Sequence, residues 1–155
     1  MKPSVQRVHD ALTAAGLEPR IVELGEVTRT AEEAAAAIGT TIARIVKSLV
    51  FLADDEPIIV LASGENRVDT GRVGRELGKT LRRADADRVR VATGYAIGGV
   101  APIGYPAPLQ TLLDRDLLQH DVVWAAAGAP NAVFPIAPAD LLRVTGARVL
   151  DVRQL

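Results

Sequence analysis

Residues 46–62 constrain the fold more than any other stretch of the chain. Val46-Lys47-Ser48-Leu49-Val50-Phe51-Leu52 is apolar and β-branched, Asp54-Asp55 supplies a turn, and Pro57 to Ala62 returns. Two such runs around a short polar turn read as an antiparallel strand pair. A hairpin in the middle of the chain weighs against a doubly wound parallel sheet. Around it, helices alternate with more short strands. Ser4, as N-cap, opens a helix to about Ala15, with Val5, Val8, Leu12 and Ala15 at helical spacing and Gly16 as its stop. Pro19 to Leu24 reads as a short strand. Thr30-Ala31-Glu32-Glu33 has capping-box spacing and starts an Ala-rich helix that ends at Gly39.

Beyond the hairpin, Asp69 to Leu77 and Asp85 to Val91 read as helices. Gly94 to Pro108 holds too much glycine and proline for a regular helix or central strand. Leu109 to Leu113, Val122 to Ala127 and Ala132 to Ile136 read as strands. A helix follows from Pro138 to Val144, and a strand from Arg148 to Val152. The expected fold is α/β: a compact single domain, residues 1–155, with a mixed, barrel-like β-sheet surrounded by helices.

Composition limits the function. The 155 residues are 48% hydrophobic and 24% charged, which suits a globular domain with a real core. No apolar run approaches the ~20 residues of a membrane helix, so no membrane partner is expected. The N-terminal residues lead straight into an amphipathic pattern without a signal-type apolar stretch, and a cytoplasmic location is the expectation. Without cysteine, thiolate chemistry and Cys-type metal sites are excluded. The net charge of −1 argues against a general nucleic-acid coat. Eight basic and four acidic residues fall between Arg67 and Arg90, a stretch that can steer a phosphate backbone or simply form a solvated face.

Candidate chemistry is sparse. His9 and His120 have no metal-ligand spacing, so neither a metal nor another cofactor is expected. Ser4, Ser48 and Ser63 lie outside any Gly-x-Ser-x-Gly elbow, and no phosphate loop or dinucleotide fingerprint occurs. Lys47 stands out because it shares strand parity with Leu49 and Phe51. An inward lysine is costly unless it meets an anionic or carbonyl partner; the plainer alternatives are an edge lysine that deters aggregation or one that snorkels to water. The second feature is Thr93-Gly94-Tyr95-Ala96-Ile97-Gly98-Gly99-Val100-Ala101-Pro102-Ile103-Gly104. Its glycines allow close backbone approach to a ligand, and successive amides can face an oxyanion. A surface connection is the alternative.

Together and in this order, the two elements resemble the YbaK/prolyl-tRNA editing-domain family. Val46 to Phe51 is similar to that family's lysine strand, and Thr93 to Gly104 to its threonine-glycine-tyrosine segment and Gly-Gly-x-x-Pro-x-Gly loop. Trp124 to Gly128 and Ile136 to Leu141 resemble its closing strands and helix. The likeness runs from about Val5 to Val152. It implies a free-standing, metal-independent hydrolase that removes a noncognate small amino acid from tRNA, with tRNA-Pro or a related tRNA as substrate. Its partners would be the aminoacylated acceptor end and a synthetase such as prolyl-tRNA synthetase. By the resemblance, Lys47, Gly98 and Gly99 are catalytic, and Thr30, Tyr95, Pro102, Gly104, Ala126 and Gly128 bind substrate. Ala126 departs from the serine found in many relatives, which bears on amino-acid specificity. Two alternatives stand beside this reading: a non-catalytic module that recognises aminoacyl-adenosine-like ligands or a synthetase, and an unrelated hydrolase of activated small esters.

Overall fold

The computed structural model describes all 155 residues. Along the chain run α1 (Pro3–Ala14), β1 (Val22–Glu23), α2 (Ala31–Ile38), β2 (Val46–Ala53) and β3 (Glu56–Ser63). There follow α3 (Thr70–Leu77), β4 (Leu81–Arg83), α4 (Ala86–Thr93) and β5 (Gln110–Asp114). The chain closes with β6 (Val123–Ala126), β7 (Ala132–Ile136), α5 (Pro138–Thr145) and β8 (Arg148–Leu150). The hairpin forms as its sequence demands. Asp54 and Asp55 take left-handed φ values of 47° and 74°, the geometry a two-residue turn needs to match strand twist.

Five strands form a mixed sheet in the order β4-β2-β3-β5-β8, antiparallel around β2 and parallel from β3 to β8. β1, β7 and β6 form a second, antiparallel sheet. The mixed sheet matches the sequence expectation, but it does not close into a barrel. β4 pairs only with Phe51–Ala53, and β6 touches the other end of β2 through a single parallel bridge between Ile45 and Trp124. Between those contacts the Val46–Leu49 edge stays open, and the two sheets part around it.

Both faces of the hairpin are buried, which accounts for its nearly continuous apolar run. Val46, Val50, Ile59 and Leu61 pack with Val5, Val8 and Leu12 of α1 and with Phe134, Leu117 and Leu141. Phe51, Ala53, Ile58 and Val60 face Val73 of α3, Leu81 and Val152. Leu12→Ala in this core is expected to cost about 2–5 kcal/mol.

Side-chain caps fix the starts of α2, α3 and α4. Thr30 Oγ1 accepts the Glu33 N–H at 3.1 Å, while Asp69 and Asp85 accept from Arg72 and Arg88. The first helix is the exception to the expected capping. Lys2 occupies its N-cap without a side-chain bond, because Pro3 supplies the first helical residue and Ser4 already lies within the turn. Two strand assignments also change: the expected Pro19–Leu24 strand shrinks to Val22–Glu23, and β4 arises where none was expected.

Candidate active site

The open edge of β2 forms one wall of a cleft of about 340 Å³. α2, the Gly98 loop and the β6–β7 turn complete it, and 17 of its 25 lining residues are hydrophobic. Strand alternation decides what this edge offers. Ile45 C=O accepts from Gly64 N–H on the β3 side, whereas Val50 C=O accepts from Ala84 N–H on the opposite side. The odd-numbered residues therefore bond to β3, and the peptide groups of Ser48 point into the cleft. Ser48 Oγ is buried there without a hydrogen-bond partner.

Lys47 also lines the cleft, half-buried, on the same strand face as Leu49 and Phe51. Its ammonium donates to the main-chain carbonyl of Asn66. Burial holds its pKa below the ordinary lysine value, opposed by the Glu32 and Asp114 carboxylates and assisted by Arg67 and Arg83. Behind it lies a polar network. Asn66 Nδ2 donates to Asp114 Oδ2 at 2.9 Å and to Asp116 Oδ2 at 2.8 Å. Asp114, fully buried, also accepts from the N–H groups of Ser63 and Asp116.

The Gly98 loop is braced from beneath. Tyr95 Oη donates to Ile103 C=O and Tyr105 Oη to Ala101 C=O, each at 2.8 Å. The two rings meet edge to face at 6.4 Å, and the Arg7 guanidinium lies 5.4 Å from the Tyr95 ring centre. Burial pushes the Tyr95 phenol up to about 12 against the pull of Arg7, so it remains a donor at neutral pH. Gly98, at φ +93°, reaches the cleft, and its N–H has no protein acceptor. Gly99 differs: its N–H donates to Ala96 C=O at 3.0 Å, and an added Cβ would stand 2.9 Å from Ala129 backbone. Close packing, rather than a free amide, requires glycine at this position.

Of the nine expected site residues, Lys47, Gly98, Thr30 and Ala126 line the cleft. Gly99, Tyr95, Pro102, Gly104 and Gly128 lie outside its lining. Gly104 sits beneath the Tyr95 hydroxyl, and Gly128 sits against the Ser4 carbonyl of α1. Sequence reasoning missed Ser48, Arg83, Trp124 and Ala129 in the lining, and Asn66 and Asp114 behind it. Arg83 had a signal, as part of the basic stretch. In that stretch Arg72 pairs with Asp151, and Arg82 and Arg88 share Asp55, while Arg83 lies over the Phe51 ring. No group of three His, Asp or Glu side chains is placed to hold a metal ion, and no helix is long and apolar enough to cross a membrane.

Residues 25–144, which contain every residue lining the cleft, match the family described as the aminoacyl-tRNA editing domain. The chain belongs to that family. It is 30% identical to the uncharacterized protein YwhH of Bacillus subtilis (strain 168), covering 96% of both chains. A proline–tRNA ligase of Ligilactobacillus salivarius (strain UCC118) is 32% identical over 65% of this chain, but the match spans only 18% of the ligase. Among solved structures, a "putative trans-editing enzyme for prolyl tRNA synthetase" superposes with a TM-score of 0.95 at 46% identity, covering 100% of this chain and 99% of that one. Within this editing-domain frame, the cleft joins a lysine at one end to an unpaired glycine amide at the other.

Proposed function

We propose that this protein is a trans-acting deacylase that hydrolyses the ester between a noncognate small amino acid and the terminal ribose of tRNA, with tRNA-Pro or a related tRNA as substrate. The observation that carries this reading is the pairing, across one apolar cleft, of the Lys47 ammonium with the unpaired Gly98 N–H. Both favour negative charge, and ester hydrolysis develops negative charge on the carbonyl oxygen. A water oxygen attacks the carbonyl carbon, the bond to the ribose oxygen breaks, and the amino acid and the free tRNA end leave. Lys47 stabilises the charge that develops at the scissile ester, and Gly98 donates to the oxyanion. Gly99 supports the loop, since its own N–H is engaged with Ala96. A hydroxyl of the terminal ribose assists the water. An aminoacyl ester is already activated, so positioning and electrostatics supply most of the acceleration.

The lining suits a small acyl group. Ala31, Ala34, Ala126 and Val133 leave room and discriminate mainly by size, while Thr28, Thr30 and Ser48 bring hydroxyl-bearing side chains to the same lining. A single methylene in such a pocket is worth ~1–3 kcal/mol. Prolyl-tRNA synthetase is the candidate partner, in keeping with the relatives above.

Deacylation of a panel of alanyl-, cysteinyl-, seryl- and threonyl-tRNA by wild type and Lys47→Ala tests the proposal. Lys47-dependent hydrolysis of one or two members is the expected result and names the amino acid. A folded protein that hydrolyses none of a broad panel would instead be a binding module for aminoacyl-adenosine-like ligands. Equal turnover of simple amino-acid esters would point to a small-molecule hydrolase.

A further inference from the structure

Lys47 is not free to settle wherever its four-carbon stem allows. Its ammonium donates to the main-chain carbonyl of Asn66, in the segment that follows β3. That segment is held at both ends. Gly64 N–H donates to Ile45 C=O at 2.7 Å, and the Asn66 side chain donates to two carboxylates, Asp114 and Asp116. Asp114 is the deeper of the two, at 0% exposure at the end of β5. A buried carboxylate costs several kcal/mol unless its oxygens are well supplied with donors. Here Oδ2 accepts from Ser63 N–H and Asn66 Nδ2, and Oδ1 accepts from Asp116 N–H.

We propose that Asp114 and Asn66 form a positioning pair for Lys47: the buried carboxylate fixes the asparagine, and the asparagine carbonyl sets where the ammonium stands in the cleft. The inference rests on the editing reading for its catalytic consequence, though not for the physical link between the three residues. Neither Asp114 nor Asn66 lines the cleft, so neither meets the substrate directly. Asp114 has a second effect, through charge. With Glu32 of α2 it opposes the desolvation that lowers the Lys47 pKa, while Arg67 after β3 and Arg83 of β4 add to the lowering. Neutralising Asp114 removes a raising influence. The lysine then loses its proton at still lower pH.

Two readouts on the full chain test the pair. The protein has three lysines, Lys2, Lys47 and Lys79, so ¹³C-lysine labelling gives three Cε signals, with Lys47 assigned by its loss in Lys47→Arg. In wild type the Lys47 signal should titrate below the ordinary lysine value, and in Asp114→Asn it should move lower again. On a mischarged tRNA, Asp114→Asn should lower kcat about 10- to 100-fold, the penalty for displacing a catalytic group by roughly 1 Å, with KM within about twofold. Asn66→Ala should lower kcat similarly. It serves as the second variant if Asp114→Asn fails to fold, because it releases the same carbonyl and keeps the carboxylate. In a Lys47→Ala background, Asp114→Asn should cost nothing further. A fall in thermal stability alone, with the Lys47 titration and kcat unchanged, would overturn the proposal. So would a shifted titration without loss of kcat. Failure of wild type to hydrolyse any aminoacyl-tRNA would count against the editing reading, and the titration would still decide whether Asp114 and Lys47 are coupled.

Discussion

The two ends of the cleft are built by different means. At the glycine end, backbone shape does the work: Gly98 turns through a left-handed conformation, Gly99 lies against Ala129, and two tyrosines hold the loop from below. At the lysine end, charge and burial do it: a half-buried ammonium, a buried carboxylate and an asparagine between them. At the first end the tyrosine braces span only 8 and 4 residues, with Gly99 packed by Ala129 from the β6–β7 turn. The second depends on partners 19 and then a further 48 residues away. Shape at one end and charge at the other should therefore fail differently when altered.

The largest effect on folding should come from Gly128→Ala, beside the glycine end. Gly128 has φ +92°, and an added Cβ would stand 2.5 Å from the Ser4 carbonyl oxygen. Strain and overpacking together should cost about 3 kcal/mol or more, read as a fall in the urea midpoint. Next comes a contrast between neighbours. Gly98→Ala has space, its nearest neighbour being Pro130 Cγ at 3.9 Å, so it carries mainly the left-handed backbone penalty of about 1 kcal/mol. Gly99→Ala has no such space and should destabilise more. Equal losses in chemical denaturation would dissolve the distinction between a cleft-facing and a packing glycine.

At the lysine end, the sharper test is pH. Because burial lowers the Lys47 pKa, the ammonium is present at low pH and lost as pH rises through that lowered value. Activity should therefore fall on the alkaline side below the ordinary lysine range, and kcat/KM against pH shows where. A basic limb at the usual lysine pKa would separate the lysine from the rate. The smallest effect should be that of Ser48→Ala. Its hydroxyl is buried without a partner, so removal should leave stability within about 0.5 kcal/mol or raise it slightly, as thermal unfolding would show.

The same contrast explains what the sequence revealed. The hairpin was legible because β-branched runs and a two-Asp turn are local signals, and the glycine loop because its glycines and prolines exclude regular structure. Strand parity correctly grouped Lys47 with Leu49 and Phe51. Parity says nothing of Asn66 or Asp114, polar residues that read as loop and strand-end positions until tertiary folding brings them behind the lysine. β4 escaped notice because it is three residues long and two are arginines. The open edge of β2 was equally invisible, since edges are fixed by which strands fail to extend. The glycines are told apart only by the fold. A motif marks all of them alike, yet only Gly98 reaches the cleft, while Gly99, Gly104 and Gly128 are required by close packing.

The central claim is that both ends of the cleft act on one ester, and single-turnover deacylation of a mischarged tRNA tests it most directly, comparing wild type, Lys47→Ala and a protein with glycolic acid in place of Gly98, which exchanges the amide N–H for an ester oxygen and keeps the φ of +93° accessible. With all three proteins folded, the account predicts a loss of about 10²–10³ in rate for Lys47→Ala and a comparable loss for the Gly98 ester. A Lys47→Ala protein that deacylates at the wild-type rate would contradict it.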